Sequence, residues 1–139
     1  MELPTSLYES MIRRGVILHS DIFEDIDHGK FFAVIGVAGD MVAGFFFINS
    51  RIHPTIMKRP AQFAMQYPLK KSDYSFLKYD SFLSATVIQK IPVNKLSSSL
   101  KSGRTTQVGN LTDDDLTAVL DACRKSELFR PSDKKKFFY

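Results

Sequence analysis

Cysteine is nearly absent: Cys123 is the only one in 139 residues. This excludes an intramolecular disulfide framework and any multi-cysteine zinc site, and it fits a reducing compartment. No apolar run approaches the roughly 20 residues that a bilayer span requires. The first residues include Glu2 and Glu9 and lack the basic start and long apolar stretch of a secretory signal. A cytoplasmic protein without a membrane partner is the expectation. A Gly-rich phosphate cradle, a His-x-x-x-His pair and a Gly-x-Ser-x-Gly elbow are also missing, so no metal and no cofactor are expected. Acidic residues are absent from the whole stretch between Met41 and Ser72.

What remains is the composition of an ordinary folded chain, with 44% hydrophobic and 24% charged residues. The length suits one domain that holds a core without staples. Its net charge of +4 is unevenly spread. Residues 1–29 carry −4, residues 30–110 carry +8, residues 111–127 carry −3 and the last twelve carry +3. The positive field therefore sits in the middle, where it can attract a polyanion or form a solvated face.

The pattern predicts a single domain over 1–139. Its parts are an N-terminal helical extension (1–17), a β-rich body with a C-terminal helix (18–126) and a basic aromatic tail (127–139). Ser6 and Glu9 have capping-box spacing, and Leu7, Tyr8, Met11 and Ile12 share a helical face that Gly15 can end. A strand is expected over Ser20–Ile26, followed by a turn at Asp27-His28-Gly29. Lys30–Ala38 and Met41–Asn49 read as a hairpin about Gly39-Asp40, since a two-residue loop starting with Gly suits the primed turns. Three successive phenylalanines, Phe45 to Phe47, require both faces of that second strand to be covered. A short strand is expected around Gln62–Tyr67 and a longer one over Phe82–Ile91, stopped by Pro92. Leu96–Leu100 reads as a helical turn and Lys101–Asn110 as a polar loop. Thr112 caps the clearest helix, whose stripe is Leu116, Val119, Leu120 and Cys123. Cys123 thus reads as packing.

The order of these pieces resembles the MazF/PemK family of toxins. Ser20-Asp21-Ile22-Phe23 stands where that family opens its first strand, and Lys30-Phe31-Phe32-Ala33-Val34-Ile35 where an Arg-led strand runs. Phe46-Phe47-Ile48-Asn49-Ser50 matches a strand ending in Thr-Ser. Asp80-Ser81-Phe82-Leu83 and Ile88-Gln89-Lys90-Ile91 match its Asp-Ser run and Arg-Thr-Ile strand end. The resemblance spans about residues 18–126. It implies a mainly β fold with flanking helices: an SH3-like curved antiparallel barrel of MazF/PemK/CcdB type with a C-terminal helix.

It also implies a growth-inhibiting, metal-independent, sequence-specific endoribonuclease of a toxin–antitoxin system. In such an enzyme the 2′-hydroxyl attacks its own phosphate. The partners implied are a second copy of the chain, an antitoxin protein and single-stranded RNA. The family's functional Arg corresponds to Lys30, which keeps the charge but loses the planar fork. Its Thr corresponds to Asn49, with Ser50 as the adjacent hydroxyl; these three are the candidate catalytic residues. A later Arg and Asp correspond to Ser84 and Thr86, which cannot replace them as acid and base. His28, Arg51, His53, Lys58 and Arg59 are candidate RNA-binding residues, the histidines because their unperturbed pKa lies near neutrality. Asp80 and Ser81 are expected to organise backbone. The alternative is a non-catalytic barrel that binds a protein or nucleic-acid partner.

Overall fold

A computed structural model describes residues 5–23 and 29–139, with the side chains of Thr5 and Ser6 left aside. At its centre is the expected hairpin, β2 (Lys30–Ala38) against β3 (Val42–Asn49). Gly39 and Asp40 turn it with φ of 56° and 58°, and Met41 N–H donates to Ala38 O at 3.0 Å. Two successive positive φ values define the I′ turn, whose twist matches that of paired strands. On one side of β2 follow β1 (Val16–Ser20) and β7 (Thr105–Asn110). On the far side of β3 two short strands share its edge. The strand β6 (Gln89–Pro92) pairs with Val42–Phe45, and β5 (Ser81–Ser84) pairs with Ile48 and Asn49. Outermost lies β4 (Gln66–Leu69), paired with β5.

Every pairing is antiparallel, but the sheet is open: the path runs β4-β5-β3-β2-β1-β7 and does not return on itself. Among the described residues the closed barrel expected from the sequence is therefore not formed. The physical reason is visible in the two faces, each of which is covered by helices instead of by the sheet curling onto itself. On one face Ile17, Ile35, Phe46, Ile48 and Leu83 pack with Val119, Leu120 and Cys123 of α5 (Asp113–Lys125). On the other, Leu18, Phe32, Val34 and Phe45 pack with Val93, Leu96 and Leu100 of α4 (Val93–Ser102). Beside α4 lies α1 (Thr5–Ser10), which leads into the buried Ile12. The consecutive phenylalanines alternate between these layers. Phe32, Phe45 and Phe46 are each at least 98% buried, and burying such a ring contributes about 1.5–3 kcal/mol.

Several expectations are corrected. The first strand starts at Val16, four residues earlier than expected, because Val16, Ile17 and Leu18 are all fully buried and so show no alternation. Of the Ser20–Ile26 expectation, Ser20 ends β1, residues 21–23 are not strand, and residues 24–26 lie outside the described ones. The polar 101–110 stretch holds the edge strand β7, which is polar because only Thr105 among its residues is buried. Phe82–Ile91 is two strands, with a turn between them. The Thr112 helix forms as expected, with Thr112 Oγ1 accepting from Asp115 N–H at 3.2 Å.

The tail is the largest revision. Pro131–Phe137 forms α6, and Phe137 and Phe138 are buried to 99% or more. Cross-strand partners Gly36 and Gly44 make the slot that receives Phe137. A Cβ at Gly36 would lie 2.2 Å from Phe137 O, and one at Gly44 would lie 2.6 Å from the Phe137 ring. Arg14 ties the segment down, donating from Nε to Ile35 O at 2.8 Å and from Nη2 to Phe137 O at 3.0 Å. Arg124 Nε donates to Phe138 O at 2.7 Å.

Candidate functional site

Antiparallel pairing brings the start of β2 level with the end of β3, with Phe31 opposite Ile48. Lys30 and Asn49 therefore meet, and Lys30 Nζ donates to Asn49 Oδ1. The same Nζ sits 5.4 Å from the centre of the Phe47 ring. Burial lowers the Lys30 pKa from its ordinary value by penalising the charged form. From this pair a groove of about 960 Å³ opens toward solvent. Ser50, Arg51 and His53 line it as the chain leaves β3, with His19, Gly29 and Gln66 around them. Phe31 and Phe76, whose centroids are 5.0 Å apart, line its apolar part, and Lys78 and Tyr79 line it further round.

The five sequence candidates Lys30, Asn49, Ser50, Arg51 and His53 are thus brought together. Lys58 and Arg59 are not: they flank two four-residue helices, α2 (Pro54–Met57) and α3 (Pro60–Phe63), and do not line the groove. His28 lies outside the described residues. His53 also shapes the backbone, since its Nδ1 accepts from Thr55 N–H at 3.1 Å and caps α2. That bond assigns the neutral ring its proton on Nε2.

Asp80 and Ser81 hold the loop entering β5. Lys71 N–H donates to Asp80 Oδ1 at 2.8 Å, and Ser81 Oγ donates to Tyr79 O at 2.9 Å. Ser84 accepts from Gln66 Nε2 at 3.1 Å, and neither Ser84 nor Thr86 lines the groove. Burial pushes the Cys123 thiol up to about 12, so it is no nucleophile.

Sequence reasoning missed His19, Gln66, Lys78 and Tyr79. His19 is hidden in the apolar run of β1, and only the pairing of His19 with Phe31 puts it at the groove. Its ring packs 4.7 Å from that of Phe31. Gly29 lies so close that a Cβ there would come within 2.1 Å of His19 Cε1, so glycine at 29 is what leaves the imidazole its place. Nothing in the sequence signals that contact, since Gly29 looks there like a turn residue alone.

No carboxylate is among the described residues that line the groove. The site therefore combines three cations, two imidazoles, hydroxyls, two amides and several aromatic faces. It can hold a phosphate by charge and a base by stacking, and its imidazoles can take and give protons. Among the described residues no group of three or more His, Cys, Asp or Glu side chains is placed to hold a metal ion. No helix among them is long and apolar enough to cross a membrane. The chain matches no family model and no curated protein.

Proposed function

We propose that this groove binds single-stranded RNA and cleaves it by attack of the ribose 2′-oxygen on the adjacent phosphorus. The observation that carries the reading is a groove without carboxylates among its described residues, lined by Lys30, which is bonded to Asn49, and by His19, Arg51 and His53. A bond forms between the 2′-oxygen and phosphorus, and the bond to the 5′-oxygen breaks. His19 takes the 2′-hydroxyl proton. His53, whose neutral ring carries its proton on Nε2, donates a hydrogen bond to the departing 5′-oxygen, which takes its proton from water. Lys30 Nζ stabilises the charge that develops on the phosphoryl oxygens, and Arg51 tracks the strand.

The resemblance to MazF/PemK toxins supports the same chemistry and adds a homodimer and an antitoxin partner. A second reading, a non-catalytic module that binds RNA or a protein, is favoured by Ser84 and Thr86 at positions where that family acts with Arg and Asp.

The test incubates the purified protein with RNA in the presence of chelator. Cyclic 2′,3′-phosphate and 5′-hydroxyl ends are expected. Lys30→Ala should slow their formation by about 30- to 1,000-fold, the usual effect of losing one charge-stabilising donor. RNA binding without new ends would select the second reading. Neither binding nor cleavage would remove RNA as the ligand.

A further inference from the structure

Most aromatic rings near the groove are already occupied. Phe31 packs against both His19 and Phe76, and Phe76 also meets Tyr74 at 6.0 Å. Tyr79 differs. It lines the same groove with 68% of its surface exposed, and among the described residues neither its ring nor its hydroxyl has a partner. The loop that carries it is nonetheless held, through the bonds from Ser81 Oγ to Tyr79 O and from Lys71 N–H to Asp80 Oδ1. A large ring kept in water on a pinned loop, next in sequence to Lys78 and in a groove that Lys78 and Arg51 also line, is an unfilled stacking surface that shares its groove with cations.

We propose that Tyr79 is the base-stacking platform of the groove, receiving one nucleobase of a single-stranded RNA whose neighbouring phosphate meets Lys30. The inference rests on the RNA reading above and adds to it the residue that engages a base. Stacking needs a π face and no hydrogen-bond code, so Tyr79 contributes affinity and register for any base and does not by itself choose among them. Phenylalanine can replace it; an aliphatic side chain of similar bulk cannot.

The chain contains no tryptophan, so Tyr79→Trp installs a single fluorescent reporter at the proposed platform. The probe is a 12-nucleotide heteropolymeric RNA, 2′-O-methylated so that it stays intact, compared with an abasic phosphodiester strand of equal length and charge. Stacking predicts that the RNA quenches the emission of the introduced indole and the abasic strand does not. Tyr79→Phe should bind the RNA like the unaltered protein, and Tyr79→Leu should bind about 5- to 100-fold more weakly. Affinity for the abasic strand should be the same in the unaltered protein and in both of these variants. Circular dichroism confirms that Tyr79→Leu is folded before its affinity is read. Equal RNA affinity of Tyr79→Leu and the unaltered protein would overturn the platform while leaving RNA binding intact. Quenching by the abasic strand would show a charge effect and overturn it too. Absence of RNA binding by the unaltered protein would overturn both readings.

Discussion

Two stretches of this chain look alike in sequence and meet opposite fates. Residues 51–63 combine Arg51, Lys58 and Arg59 with Met57 and Phe63, while residues 130–139 combine Arg130 and three lysines with Phe137, Phe138 and Tyr139. The first folds into α2 and α3, which bury none of their residues and leave Met57 and Phe63 about half exposed. The second folds into α6, which drives Phe137 into a slot between Gly36 and Gly44. Its polar groups are engaged as well: Lys134 Nζ donates to Arg124 O at 3.0 Å, and Asp133 pairs with Lys90 at 2.9 Å. Basic and aromatic composition alone thus does not tell a core element from a surface one. What separates the two is whether the sheet offers a cavity for the ring, which depends on glycines distant in sequence.

The contrast can be broken most sharply at the slot. Phe137→Ala should destabilise the fold by about 3–5 kcal/mol in denaturant titration. Gly36→Val should cost at least as much, because its Cβ meets Phe137 backbone and not the end of a flexible side chain.

Next in size is Lys30→Ala, which removes a donor from the groove. About 2–4 kcal/mol of transition-state stabilisation should be lost with the melting temperature little changed. A pH series examines the packing of α5 on the sheet. The Cys123 thiol rises to about 12 in the folded chain, whereas an unfolded thiol titrates near ~8.5. The unfolded chain therefore releases its proton first. Stability should be full below about pH 8.5 and fall progressively as pH rises toward 12. In Cys123→Ala the decline should begin later, as tyrosines such as Tyr67, itself raised to about 12, start to contribute.

Arg51→Ala should weaken RNA binding and reduce the slope of log affinity against log salt by about 1. Exposed Lys135→Ala and Lys136→Ala should change neither. The smallest effect is expected for Met57→Ser and Phe63→Ser, each within about 0.5 kcal/mol of the unaltered stability, since neither side chain is in the core.

What was legible in the sequence was local. The Gly39-Asp40 hairpin and the Thr112-capped helix are set by neighbouring residues, and both form as expected. The Lys30–Asn49 meeting followed from that hairpin, because its register brings the two ends together. What escaped depends on distant partners. Val16–Leu18 is covered on both faces and carries no alternation, so β1 was misplaced and His19 with it. The open sheet depends on helices from both ends of the chain reaching opposite faces, which strand pattern alone does not reveal. The C-terminal phenylalanines read as a tail because the Gly36–Gly44 slot lies almost a hundred residues earlier in the chain.

The central claim is that the groove beside Lys30, and not the basic C-terminal helix, meets RNA. Photocrosslinking with a 4-thiouridine-substituted single-stranded RNA, followed by mass spectrometric mapping of the attached peptides, tests it most directly. The account predicts adducts on peptides containing Lys30–Phe31, Asn49–His53 and Phe76–Tyr79, competed by unlabelled RNA. Competed adducts confined to Arg130–Tyr139, or to the exposed face of α5, would contradict it.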